Sequence, residues 1–177
     1  MRQVEDGDEV HTKYRIRIYN QSDMLIKVEK KLSYNGKKKK IVDEIDRNTC
    51  NCILSKSDLW RCEHSTTAGV VDELCRNVYS GQLVPKVIID YKRVAFTTNF
   101  GNIRITIDEF ISASKQFERF FGDNIDSVSI IPHYGILEIK YDAFFPGYIE
   151  SLFQDLALER VSFSKYQICR EEIGCWR

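Results

Sequence analysis

The chain is poor in proline and glycine, with three and nine in 177 residues, which excludes a collagen-like or linker-like polymer. It has no apolar run of about 18 residues, so no membrane-spanning helix is expected. Its opening, Met1-Arg-Gln-Val-Glu-Asp-Gly-Asp-Glu-Val10, is acidic and polar, where a secretory leader is basic and then apolar. It has no net charge, 26 Lys and Arg facing 26 Asp and Glu, so no global field draws it towards nucleic acid or anionic lipid. Glycine-rich phosphate loops and Gly-x-Ser-x-Gly elbows are missing, and His11, His64 and His133 lack the partner spacing of nucleophilic catalysis. The expected setting is the cytoplasm, with all six cysteines as thiols.

What the chain does have is enough apolar residues for a core, 43%, and an aromatic content of 12% that excludes chain-long disorder. After a polar lead-in over residues 1–12, Lys13-Tyr-Arg-Ile-Arg-Ile-Tyr19 alternates with the period of a strand, and Met24 to Leu32 does the same. Asn35-Gly36 predicts a hairpin turn into a third strand, Lys37 to Val42. The middle reads as helical: Ser55 or Ser57 caps a helix through about Cys62, and Asp72 to Tyr79 forms a second, ended by Gly81. Strands are predicted again at Leu83 to Phe96, Ile103 to Asp108, Ser127 to Ile131 and Gly135 to Tyr141. A helix over Tyr148 to Leu158 and a short closing segment at Ser164 to Arg170 complete an α+β class of antiparallel strands with helices outside.

The strands share a feature. An antiparallel sheet commonly buries an apolar face and solvates a mixed one. Here the polar face offers long cations: Arg15 and Arg17, Lys27 and Lys31, Arg93, Arg104, Lys140. Glu29 and Glu138 are interleaved, each two residues before a lysine on the same face. The opposite faces hold Ile16, Ile18, Ile26, Val28, Ile103, Ile105, Ile107, Leu137 and Ile139. A sheet curled into a barrel with helices over its apolar outside would turn the charges inward, making a cationic tunnel. Crowded cations repel unless a polyanion meets them, and arginine forks match phosphate oxygens. The carboxylates suit Mg²⁺ or Mn²⁺. Two features compete weakly with this reading. Cys50, Cys52, Cys62 and His64 have the residue types of a zinc site at an uncommon spacing, and packing thiols are the simpler account. Lys37 to Lys40 reads as a solvated strand or turn from which Lys39 or Lys40 could reach into the tunnel. Tyr148, Ile149, Leu152, Phe153 and Leu156 make an apolar helix face of the kind that packs into a core.

In order, Lys13 to Tyr19, Val28-Glu-Lys-Lys31, Ile89-Asp-Tyr-Lys-Arg-Val-Ala-Phe96, Asn102-Ile-Arg-Ile-Thr-Ile-Asp108, Ile136-Leu-Glu-Ile-Lys-Tyr141 and Ser162-Phe-Ser-Lys-Tyr166 resemble blocks of the VTC domain. This is the polyphosphate polymerase domain of the vacuolar transporter chaperone and its bacterial relatives, in the triphosphate tunnel metalloenzyme (CYTH-like) superfamily. The resemblance spans about residues 13 to 170. It implies an antiparallel tunnel in which a nucleoside triphosphate binds and its terminal phosphate passes to a growing polyphosphate. By position it makes Arg15, Arg17, Lys31, Arg93, Arg104 and Lys140 phosphate-binding residues. Tyr91 and Ser164 become supporting phosphate contacts, Glu138 the ligand of Mn²⁺ or Mg²⁺, and Lys165 the lysine critical for transfer.

Family members usually begin with further strands and a Tyr-Phe-Asp motif, so residues 13–177 are read as an N-terminally truncated tunnel, which a second copy could complete. Polyphosphate synthesis from ATP is the leading expectation. The alternatives are a triphosphate or nucleotide phosphohydrolase in the same tunnel, and a polyphosphate-binding module without catalysis. Product analysis separates them, since phosphoryl transfer needs mainly positioning and charge neutralisation.

Overall fold

A computed structural model describes residues 11–57, 69–98, 100–122, 124–142 and 144–174. The chain forms two compact units, residues 1–85 with 117–125 and residues 86–116 with 126–177. Among the described residues the class is α+β, with two antiparallel sheets and four helices. Among the described residues each sheet has its own ladder, and no strand pairing links the two.

The first unit is a meander of β1 (His11–Tyr19), β2 (Ser22–Tyr34) and β3 (Lys37–Ile45). Both hairpin turns use positive φ at two successive residues, Asn20 and Gln21 in one and Asn35 and Gly36 in the other. This is the twist-matched turn that Asn-Gly favours. The predicted strands were therefore right in place and short by a few residues at their ends.

Helix α1 (Arg47–Ser55) starts eight residues before the serine expected to cap it. Asp46 is the cap: its carboxylate accepts from the Thr49 backbone N–H at 2.8 Å, which holds the acid below its ordinary pKa. Ser55 instead ends that helix, and the part predicted to continue through Cys62 lies outside the described residues. Helix α2 (Val70–Tyr79) agrees with its prediction; Asp43 of β3 accepts from its first N–H, on Val70, at 2.7 Å. The core lies between the two helices and the even-numbered face of β2: Val28, Ile53, Val70, Leu74, Cys75 and Val78 are buried. Polar groups on this side are paired. Lys30 and Tyr14 both donate to Glu73, at 2.6 Å and 2.5 Å, lowering the pKa of the acid. Burial and that carboxylate together raise the pKa of the Tyr14 phenol.

The second unit is built on β5 (Ile103–Ser114). Strand β4 (Ile88–Thr98) pairs with one of its edges; β6 (Val128–Ser129) and β7 (Ile136–Lys140) pair with it elsewhere along its length. Strand β4 begins at Ile88, five residues later than expected, and β5 runs six residues beyond Asp108. Two further expectations are corrected. The predicted Tyr148-to-Leu158 helix is cut to α3 (Gly147–Ser151), and Tyr148, Leu152 and Leu156 are exposed while Ile149 is buried. The closing segment is a full helix, α4 (Lys165–Gly174), capped by Ser164, whose side chain accepts from the Gln167 N–H at 3.4 Å.

A β-bulge at Phe110 decides what this sheet can carry. Lys92 pairs with Glu109 but Asp90 pairs with Ser112, so β5 contains one extra residue and its side-chain alternation inverts. Upstream, the face shared by Arg104, Thr106 and Asp108 is polar; downstream the same face continues as Ile111 and Ala113, which pack against Cys169 and Ile173 of α4. Helix α4 therefore lies on the charged side of the sheet, at its apolar end, which corrects the expectation that helices cover only the opposite face. On that opposite face Ile103 is buried, but Ile105, Ile107, Leu137 and Ile139 are only partly so.

Phe110 sits at φ +54° and is 71% exposed. Left-handed backbone is strained for a bulky side chain and free for glycine. Phe110→Gly is expected to keep or slightly raise the melting temperature, because the ring contributes little burial and the strain is relieved. A fall of several degrees by calorimetry would show that the ring holds the bulge.

Candidate functional site

Register places the charges of the first unit in cross-strand rows. One face of β1, β2 and β3 carries Lys13–Lys31–Lys40, then Arg15–Glu29–Val42, then Arg17–Lys27–Glu44. Like charges directly opposite one another are destabilising, and here three lysines stand in a line. One carboxylate organises the face. Glu29 is 4% exposed and accepts from Arg15 Nε at 2.8 Å and from Arg15 Nη2. Lys40 Nζ lies 2.6 Å from its other oxygen, and Arg17 Nη2 is 3.9 Å away. Burial alone would raise its pKa. Hydrogen bonds from Lys40 and Arg15, with the charges of Arg15 and Arg17, prevail and hold it at about 2. Arg15 and Lys40 keep half of their side chains in solvent, so they have donors left for a ligand. Lys40 thus shares the face of Arg15 and Glu29, whereas Lys39 pairs with Leu32 on the other side of the sheet.

In the second unit the rows of the charged face are Arg93–Asp108–Ile136, Ala95–Thr106–Glu138 and Thr97–Arg104–Lys140. Asp108 is fully buried. Arg93 grips both its oxygens, Nε to Oδ1 at 2.5 Å and Nη2 to Oδ2 at 2.6 Å, and Lys165 Nζ lies 2.7 Å from Oδ2. Burial opposes the charge on Asp108, but the two cations outweigh it and lower the pKa; the same contact raises that of Arg93. Tyr91 lies beneath both cations, its ring centre 5.1 Å from Arg93 Cζ and 5.5 Å from Lys165 Nζ. Lys165 also stands 5.8 Å from the Phe163 ring. Further along, Arg104 and Lys140 are directly opposite and exposed, and Glu138 Oε1 is 3.1 Å from Lys140 Nζ.

The arrangement is thus two sheet faces, each with opposed cations and one buried carboxylate that holds several of them in place. The family model for the VTC domain matches residues 1–173. The chain belongs to the VTC domain family. Membership supports a polyphosphate-related role. No curated protein and no solved structure gives a significant match.

In this VTC domain Arg15, Arg17 and Lys31 fall in the first unit, and Tyr91, Arg93, Arg104, Glu138, Lys140, Ser164 and Lys165 in the second. The second unit joins Arg93 and Lys165 through Asp108, with the Tyr91 ring against both cations, and sets Lys140 opposite Arg104 and beside Glu138. Ser164 acts locally as the cap of α4.

Sequence reasoning missed Asp108 and Thr106 as members of the site, and it noted Glu29 without seeing its hub role. The signal for Asp108 was present: it lies four residues after Arg104 in a period-two segment, hence on the same face.

No cluster of three or more metal-ligating side chains occurs among the described residues. A single carboxylate still fits Mg²⁺ or Mn²⁺ when the metal arrives on phosphate oxygens. Glu138, partly exposed and free of buried commitments, has that character, whereas both oxygens of Asp108 are taken. Cys50 and Cys52 belong to α1, and burial pushes the Cys50 thiol up to about 12, in keeping with a packing thiol. Cys62 and His64 lie outside the described residues. Among the described residues no helix is long and apolar enough to cross a membrane.

Proposed function

We propose that this VTC domain is a metal-dependent phosphotransferase that makes polyphosphate from ATP. The observation that carries the reading is the opposition of cations across the ladders, Lys13–Lys31–Lys40 in one unit and Arg104–Lys140 in the other. Such pairs oppose folding in the absence of a ligand and are relieved by a chain of phosphates. Arg15, Arg17 and Lys31 would hold phosphates on the face of the first unit, and Arg93, Arg104 and Lys140 on that of the second, Arg15 and Arg93 through the guanidinium nitrogen that their carboxylates leave. Tyr91 positions Arg93 and Lys165, and Ser164 fixes the start of the helix that presents Lys165.

Glu138 would hold Mn²⁺ or Mg²⁺ together with phosphate oxygens, and the bound ion would neutralise charge on the phosphates. Lys165 rests on Asp108 and would turn to the transferring phosphoryl group, supplying positive charge where the transition state gathers negative charge. The chain's own task is alignment and neutralisation, which needs no protein nucleophile.

The test is incubation of the purified chain with ATP and Mn²⁺, read as polymer on a gel and as free orthophosphate. Long polyphosphate is expected, and Lys165→Ala should reduce its formation at least ~100-fold, the scale of losing a key electrostatic donor. Orthophosphate without polymer would make the protein a phosphohydrolase. Tripolyphosphate binding without turnover under either metal would make it a binding module. Polymer formation surviving Lys165→Ala would remove that residue from the chemistry.

A further inference from the structure

Thr106 occupies the centre of the charged face of the second unit. Ala95 and Glu138 flank it across the ladder, and Arg104 and Asp108 precede and follow it on that face of β5. It is 2% exposed, and its Oγ1 is buried with no hydrogen-bond partner among the described residues. Native proteins pair nearly all buried polar atoms, because an unpaired hydroxyl gives up hydration for nothing. The neighbouring carboxylates have partners of their own, and neither accepts from it. Both oxygens of Asp108 serve Arg93 and Lys165, and Glu138 leans on Lys140 through Oε1. What remains is a donor without an acceptor, ringed by Arg93, Arg104 and Lys140.

We infer that Thr106 is a phosphate-contacting residue: its hydroxyl donates to a non-bridging oxygen of a phosphoryl group held by Arg93, Arg104 and Lys140. The inference deepens the polyphosphate reading and rests on it. Ala95, directly across the ladder, has no side chain beyond Cβ to compete for the hydroxyl. Lys140 and Glu138 are the movable part of the rim, with side chains 66% and 41% exposed. An arriving phosphate draws Lys140 from Glu138 and opens the way to the hydroxyl.

The test is calorimetric titration of the full chain with tripolyphosphate, without metal, alongside melting of the unliganded protein. Thr106→Val keeps the shape and removes the hydroxyl; Thr106→Ser keeps the hydroxyl. The valine variant should melt at the wild-type temperature or above, since an unsatisfied polar atom is removed, yet bind tripolyphosphate at least ~tenfold more weakly. The serine variant should bind within about threefold of wild type. Undiminished binding by Thr106→Val overturns the inference and leaves the polyphosphate reading standing. A valine variant that melts well below wild type also overturns it, because the hydroxyl would then have an internal partner. Wild-type protein that binds no tripolyphosphate sinks both.

Discussion

Replacing Asp108 by alanine is expected to destabilise the second unit by about 3–5 kcal/mol, the range for removing one partner of a buried ion pair. The carboxylate is fully buried, and two cations from different elements depend on it, Arg93 of β4 and Lys165 of α4. Without it they face each other in a partly buried space beside Tyr91. The helix then loses the anchor at its first residue and keeps the contacts of Cys169 and Ile173 with Ile111 and Ala113. Asp108→Asn should also destabilise, since it keeps volume but not charge. Adding Lys165→Met to that variant should recover part of the loss, because one stranded cation is removed; coupling between contacting residues commonly amounts to about 0.5–3 kcal/mol. Urea unfolding of wild type, Asp108→Asn, Lys165→Met and the double variant decides it. Additive losses would mean that Asp108 and Lys165 do not act on each other in the folded chain.

The same residue shows how far the sequence could be read. Period-two alternation located β1, β2, β3 and β7 within a few residues, because each is a regular strand between turns with clear chemistry such as Asn35-Gly36. It put Arg104 and Asp108 on one face. It failed where the physics ceased to be periodic. The extra residue at Phe110 inverts the pattern of β5, so Ile111 and Ala113 appear on the wrong face and α4 cannot be placed on the charged side. The helix predicted over Tyr148 to Leu158 failed for another reason. Its apolar spacing is helical, but only Ile149 is buried by packing, and tertiary burial rather than spacing sustains most helices. The candidate cations were legible from alternation and resemblance. The carboxylates that organise them were not, because a hub such as Glu29 depends on residues 11 and 14 positions away in sequence, which only the strand register brings together.

Glu29 gives the second large effect, and it is dependent on pH. Its folded pKa is about 2 and its ordinary value 4.5, so the folded chain binds this proton less readily than the unfolded chain. The stabilisation is therefore fully present above pH 4.5 and is lost as pH falls from there through about 2. Glu29→Gln should cost about 2 kcal/mol at neutral pH, less than a fully buried pair because Arg15 and Lys40 keep contact with water. The gap between the two unfolding curves should shrink through that acid window and close near its lower end. The variant also leaves Arg15, Arg17 and Lys40 without their carboxylate, so phosphate or tripolyphosphate should raise its melting temperature more than that of wild type. Melting scans across pH, with and without phosphate, measure both effects. A difference that stays constant down to pH 2, or an equal response to phosphate, would mean that the carboxylate does not organise these cations.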